Sequence, residues 1–285
     1  MVSAEELKTY AEITWCPGCG NFGIYTALRK ALSELNLAPE MVALLSGIGC
    51  HAKIVDYVNT NSFYVIHGRV LPAASAVKLA NHEITVIGHA GDGDGYGIGI
   101  GHLSHTCRRN IDMTYIVHNN MVYGLTTGQT APTSQQGYVS KTSPFGELAL
   151  PINPIAHVLA SDATMVARGF AGDPKHLKEL IKECIMHKGF ALLDVLQPCV
   201  TFNRVNTYDF YRKRVYKLEE DNHDTTDRMR AFQKAYEWGD RIPIGVFYKV
   251  ERPTYHAGLP QIAKVPLSRQ RIEDVDISDL MKSLT

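Results

Sequence analysis

The chain has 285 residues, 45% of them hydrophobic, enough for one large domain or one domain plus an extension. Lysine plus arginine equals aspartate plus glutamate at 29 each, so no global charge favours nucleic acid, and no apolar run approaches the roughly 18 residues of a membrane span. The opening MVSAEELKTYAEITW lacks the basic-then-apolar order of a signal peptide, which points to a cytoplasmic protein whose six cysteines stay reduced.

The first signal along the chain is WCPGCGN, which sets Cys16 and Cys19 two residues apart at a helix start, a metal-binding spacing that is weak by itself. NFGIYTALRKALSELNL follows and places Ile24, Leu28, Leu32 and Leu35 on one helical face. MVALLSG (41–47) reads as a buried strand and leads into Cys50. SFYVIHGRVLPAAS sends His67 and Arg69 out of another apolar run, just before a helix opened near Pro72. Arg69 is suited to a diphosphate or a substrate carboxylate, with a surface position as the alternative, and His67 to the site, with a core position as the alternative.

ITVIGHA (84–90) is the next strand and ends in a loop holding six glycines and two aspartates between 91 and 101. A helix through HLSHTCRRN carries His102, His105 and Cys107; His102 has a role either in the site or in helix packing, and Cys107 reads as a small apolar core residue. The strand MTYIVHN (113–119) ends in Asn119-Asn120, followed by NMVYGLTTGQTAPTS. TMVARG (164–169) and FALLDVL (190–196) are further strands, separated by a helix opened by Pro174, carrying Cys184 and closed by Gly189. QPCVTFN, with Cys199, comes after the last of them.

Strands alternating with helices predict an α/β fold, a three-layer doubly wound and mostly parallel sheet. In such sheets ligands bind outside the carboxyl ends of the strands, so Cys50, the glycine loop, the asparagine pair and Cys199 are expected along one edge. Residues 1–200 are thereby read as the domain that carries the site. From 201 the chain becomes rich in charge and tyrosine, and residues 201–285 read as an extension laid on a partner subunit rather than a second core.

The glycine loop fits neither common phosphate cradle. GDGDGYGIGIGHLSH lacks the Lys-Ser or Lys-Thr of a Walker loop, and no frame supplies the spacing of a dinucleotide fingerprint. Its acids make sense if a divalent cation lies between carboxylate and phosphate, since Mg²⁺ combines one or two carboxylates with phosphate oxygens. A second ligand should come from the next strand end, and 25 residues (94–118) separate Gly93 from Asn119.

GDG, about 25 residues, then NN resembles the signature of enzymes that bind thiamine diphosphate through Mg²⁺. That resemblance implies Asp92, the side chain of Asn120 and the backbone carbonyl of Val122 as Mg²⁺ ligands, with Asp94 as an alternative ligand or a cap on the following helix. Four thiolates can hold zinc or an iron–sulfur cluster, and spacing does not separate the two. Function does: decarboxylating a 2-oxoacid on thiamine leaves an electron-rich adduct that a redox cluster can oxidise and zinc cannot.

CPGCG, GIGC, HGR, GDG…NN and YGLTTGQTAPTS together closely resemble the beta subunit of 2-oxoacid:ferredoxin oxidoreductases, strongly over about residues 10–205, and IPIGVFYKVERPTY extends the likeness. The resemblance implies a 4Fe-4S cluster on Cys16, Cys19, Cys50 and Cys199. It also implies cofactor contacts from Gly47, Ile48, Gly49, Cys50, His67, Gly91, Asp92, Gly93, Asp94, Asn120, Val122, Tyr123, Gly124, Leu125 and Thr126. His67, Arg69, Leu125 and Thr127 are then the residues nearest the chemistry. Leu125 would lie against the thiamine and Thr127 would line the substrate pocket, although many family members carry Lys or Gly at that position.

The implied reaction is CoA-dependent oxidative decarboxylation of 2-oxoglutarate, or its reverse, with electrons passing through the cluster to ferredoxin. Pyruvate is the alternative substrate. Rivals of other classes are a zinc-stapled, non-redox thiamine diphosphate lyase and a non-enzymatic metal protein. The glutamate that activates thiamine is absent from this chain and, by the resemblance, belongs to an alpha or fused gamma-alpha partner in a heterodimer or dimer of heterodimers.

Overall fold

In the computed structural model, residues 2–271, 273 and 275–284 are described. The first helix, α1, spans Asn21–Glu34 and buries Ile24, Leu28 and Leu32 as their place on one helical face predicts, while Leu35 sits half-buried at its C-cap. Then come β1 (Val42–Ser46), α2 (Ile54–Tyr57), β2 (Asn61–Tyr64), α3 (Val70–Ala80), β3 (Thr85–Gly91), α4 (Ile100–Arg109) and β4 (Met113–Asn119). After a small hairpin of β5 (Val122–Tyr123) and β6 (Gln129–Thr130), the chain forms α5 (Pro154–Ala160), β7 (Met165–Phe170), α6 (Pro174–Met186) and β8 (Phe190–Leu196). α7 (Tyr208–Arg212), β9 (Val215–Lys217), α8 (Arg228–Ala235), β10 (Ile242–Lys249) and α9 (Ser278–Ser283) complete it.

The main sheet runs β2-β1-β3-β4-β8-β7-β10-β9. From β2 to β7 every neighbouring pair is parallel, which requires crossover helices on the faces and explains why the central strands are buried end to end. Alternate residues of a strand face opposite layers: Val42 and Leu44 pack with α1 and α6, whereas Ala43 and Leu45 pack with α3, α4 and α5. α6 begins at Pro174 with the Asp173 side chain accepting the His176 N–H at 3.1 Å, a preorganised first turn whose cap satisfies an otherwise free donor. Cys107 and Cys184 are buried in the two helical layers. Among the described residues no helix is long and apolar enough to cross a membrane.

The extension departs from expectation. β10 pairs antiparallel with β7, β9 pairs with β10, and α8 packs on α5, so residues 208–250 finish the same sheet instead of leaving it at residue 200. Physically, β7 would otherwise present an open ladder, and the apolar run IPIGVFY covers it. From 251 to 271 the chain lies along the surface, tied at Arg252 and Pro253, whose carbonyls accept from the Asn110 amide at 2.9 and 3.2 Å.

The connection after β1 goes outward to β2 and then returns across β1 to β3. That reversal opens a crevice between the ends of β1 and β3, where both turns splay apart.

Candidate functional site

The crevice is built from four strand ends. β1 delivers Gly47, Ile48, Gly49 and Cys50; β3 delivers Gly91, Asp92, Gly93 and Asp94; β4 delivers Asn119 and Asn120; β8 delivers Gln197 and Cys199. Residues 93–98 form a single π-helical turn in which the Gly99 N–H donates to the Asp94 carbonyl five residues back at 3.0 Å. The glycines permit close approach there: a Cβ on Gly93 would lie 2.2 Å from Cε1 of Tyr123, whose hydroxyl donates to the Gly93 carbonyl at 3.1 Å.

One cavity is lined by Ile48, Gly49, Cys50, His67, Gly91, Asp92, Gly93, Asp94, Asn120, Val122, Tyr123, Gly124, Leu125 and Thr126, together with His51 and His118. Gly47 stands just behind it, against Asp94. Arg69 and Thr127 do not line it. Arg69 occupies the N-cap position of α3 without capping it through its side chain, and its guanidinium donates to the Gly68 carbonyl at 3.3 Å. Thr127 is exposed with φ at 78°, in a turn closed by its N–H on the Gly124 carbonyl at 3.1 Å. His102 is likewise outside the lining and His105 is exposed.

The two aspartates have different surroundings. Asp92 is buried and accepts from the Thr133 hydroxyl at 2.5 Å. Burial pushes its carboxyl up to about 7, opposed by Thr133 and by the N–H groups of Asp92 and Asn120, with the Asp194 charge raising it further. A buried carboxylate with an acidic neighbour, an amide side chain and a strand-end backbone on the same cavity form the hard oxygen donor set that a divalent cation compensates. Asp94 instead turns towards the loop after β2, accepting from the Gly68 N–H, with His67 Nδ1 at 3.2 Å and His51 Nε2 at 3.6 Å.

The asparagine pair divides its labour. Asn120 faces the cavity, its amide oxygen accepting the Val122 N–H at 3.1 Å in a local turn that fixes the loop. Asn119 is buried and donates to Asp194 Oδ1 at 3.0 Å, where the Tyr96 hydroxyl also donates at 3.0 Å. Asp194 Oδ2 takes the Arg168 Nε at 3.1 Å. This buried network ties the glycine turn to β4, β7 and β8, and nothing in the sequence pattern announced it.

Beneath the cavity lies a histidine chain that sequence reading also missed. His89 Nδ1 is 3.0 Å from His118 Nε2, and His118 Nδ1 is 2.9 Å from Asn21 Oδ1. Burial holds His89 down to about 3 and depresses His118 as well, so both rings are neutral and each uses its Nδ1–H as the donor.

The second cavity, of about 220 Å³, is lined by Cys16, Cys19, Cys50 and Cys199 with Thr14, Trp15, Lys53, Gln197 and Phe202. Cys19 is buried, Cys50 and Cys199 are partly exposed and Cys16 is exposed. Burial raises the Cys19 thiol to about 12, and the three other cysteines add to that rise. Trp15 Nε1 donates to the Cys50 carbonyl at 2.6 Å and pins the β1 turn. The sulfurs surround a volume and do not converge on a point: among the described residues no three His, Cys, Asp or Glu side chains close on a single metal ion. Cys50, Asn120, Gly124 and Leu125 line both cavities and form the wall between them.

Comparison with known proteins gives the family. Residues 47–195 match the family model described as thiamine pyrophosphate enzyme, C-terminal TPP binding domain, and residues 199–264 match that of the C-terminal part of the pyruvate ferredoxin oxidoreductase beta chain. The chain is 46% identical to the 2-oxoacid:ferredoxin oxidoreductase subunit beta of Saccharolobus solfataricus, over 94% of this chain and 95% of the relative. It is 34% identical to the 2-oxoglutarate synthase subunit KorB of Methanocaldococcus jannaschii, over 85% and 89%. A solved 2-oxoglutarate:ferredoxin oxidoreductase from Magnetococcus marinus, with 2-oxoglutarate, coenzyme A and succinyl-CoA bound, superposes with a TM-score of 0.92 at 37% identity, covering all of this chain and 96% of that one. On fold, site layout and relatives together, the chain belongs to the beta subunits of the 2-oxoacid:ferredoxin oxidoreductases.

Proposed function

We propose that this chain is the cofactor-carrying beta subunit of a CoA-dependent oxidoreductase acting on 2-oxoglutarate or a broad range of 2-oxoacids, with pyruvate the less favoured substrate. The observation that carries the reading is the shared wall: an oxygen-lined cavity at Asp92 and a four-cysteine cavity meet at Cys50, Asn120, Gly124 and Leu125. Substrate preference is supported by relatives named for 2-oxoglutarate or for 2-oxoacids in general.

Bound thiamine diphosphate would supply the carbanion chemistry that releases CO₂ from a 2-oxoacid, and a 4Fe-4S cluster the one-electron acceptor. Asp92, the Asn120 side chain and the Val122 carbonyl would hold Mg²⁺ on the diphosphate. Cys16, Cys19, Cys50 and Cys199 would hold the cluster, in a space suited to a group larger than one ion. His67 and Tyr123, 6.1 Å apart between ring centroids, would flank the diphosphate, and Leu125, half-exposed in the wall, would lie against the thiamine.

Ile48, Ile66, Ile98 and Leu125 stay exposed near the crevice. Such apolar exposure marks a surface that a partner covers. The partner is an alpha or gamma-alpha subunit bringing the thiamine-activating glutamate and closing the acyl pocket over Arg69 and Thr127. Ferredoxin takes the electrons.

The test is anaerobic co-purification with the large partner and an assay of CoA-dependent viologen reduction. A preference for 2-oxoglutarate supports the full reading. Equal or greater activity with pyruvate removes the substrate assignment alone, and no reduction with either from a brown, thiamine-loaded complex removes the reaction.

A further inference from the structure

We propose that Gln197 sets the reduction potential of the cluster assigned to the four-cysteine cavity; the inference rests on that reading of the cavity. Gln197 is the first residue after β8, and only 2% of it is exposed. Its Nε2 lies 3.3 Å from Cys19 Sγ and 3.1 Å from the Pro198 carbonyl, so the amide has one partner for each of its two N–H bonds. The backbone N–H of Gln197 donates to the Asn119 carbonyl at 2.9 Å, which anchors the residue to the end of β4.

The neighbourhood is shaped around this side chain. A Cβ on Gly20 would stand 2.7 Å from Gln197 Cγ, so the second glycine of CPGCG leaves the space through which the amide reaches sulfur. Cys19 also receives the backbone N–H of Asn21. It is the one buried cysteine of the four, the sulfur at which water competes least with a protein donor.

When such a cluster is reduced it takes up one electron, no bond is made or broken, and part of the added charge falls on the ligating sulfurs. A fixed N–H dipole aimed at a thiolate therefore stabilises the reduced form more than the oxidised form and raises the potential. Gln197 stays a neutral amide throughout and transfers no proton. It is a positioning residue whose effect is on the electron's energy, and through it on the balance between oxidation of the 2-oxoacid and the reverse reaction.

The experiment is a dithionite redox titration, followed by electron paramagnetic resonance, of the holo-complex with its partner subunit. Wild type is compared with Gln197→Met, which keeps the length, and Gln197→Leu, which keeps the bulk; both remove the donor. At the wild-type midpoint the reduced-to-oxidised ratio should fall about tenfold in both, equivalent to about 59 mV for a one-electron couple. Unchanged potentials in variants with full iron content overturn the proposal. In case the variants lose the cluster, wild type carrying ¹⁵N in its glutamine side-chain amides provides an independent reading: pulsed spectroscopy of the reduced cluster should detect the isotope as a weakly coupled nitrogen, and its absence overturns the proposal. Iron and acid-labile sulfide in wild type test the cluster itself; a colourless, iron-free complex overturns the reading of the cavity and this inference with it.

Discussion

Asp94 is packed so tightly against Gly47 that a Cβ on the glycine would fall 1.8 Å from the aspartate Oδ2. This contact locks the end of β1 to the glycine turn after β3, across the crevice where the sheet order reverses. Asp94 thus serves as a clasp between loops, and in the proposed reading Asp92 would be the acid that meets the cation.

Gly47→Ala should therefore damage the site more than its size implies. Overpacking a buried contact costs about 1–3 kcal/mol. Thermal denaturation should show a loss in that range, and isothermal titration should show weakened thiamine diphosphate binding. An unperturbed melting temperature would mean that Asp94 moves aside freely.

Asp92→Asn should abolish Mg²⁺-dependent binding of thiamine diphosphate and leave the fold intact. The pH dependence follows from the raised carboxyl. A proton must leave Asp92 before a cation can use it, so affinity should fall as pH drops below about 7 and level off above it. For the metal-free chain the sign is opposite in effect: the folded state holds a proton that the unfolded state has lost between about 4 and 7, so stability should decline as pH rises through that window. Titrations in buffers of different ionisation enthalpy would count the proton released on Mg²⁺ binding at pH 6.

Replacing Cys16, Cys50 or Cys199 by alanine should remove iron and the absorbance near 400 nm. Cys107→Ala and Cys184→Ala should keep both, since these thiols are buried in helix faces away from the cavity. Iron analysis after anaerobic purification separates the two sets.

Asp194→Asn should destabilise the whole sheet. It leaves the Arg168 guanidinium buried without its countercharge, a loss of about 3–5 kcal/mol. Denaturant unfolding checks this, and the glycine turn held by Tyr96 should become the most exchange-labile part of the site.

Much of this arrangement is written in the chain. β1, β3, β4, β7 and β8 are continuous apolar runs because parallel strands are covered on both faces, so their ends, and the residues just beyond, can be placed from sequence. The distance from GDG to NN brings Asp92 and Asn120 to one cavity for the same reason. Other features leave no local trace. IPIGVFY is an ordinary apolar run, and only the unpaired edge of β7 decides that it joins the sheet. His51, His89 and His118 meet through the fold from three separate elements, with no period to reveal them. Asn119 and Asn120 look alike in sequence, and only the sheet register turns one inward to Asp194 and the other to the crevice.

Central to the proposed reaction is electron passage across the wall formed by Cys50, Asn120, Gly124 and Leu125. Its most direct test is electron paramagnetic resonance of the anaerobic, thiamine-loaded complex frozen after mixing with 2-oxoglutarate and CoA. A reduced 4Fe-4S signal should appear with substrate and be absent in Asp92→Asn. An oxidised, silent cluster in a complex that still releases CO₂ from the substrate would contradict electron passage across that wall.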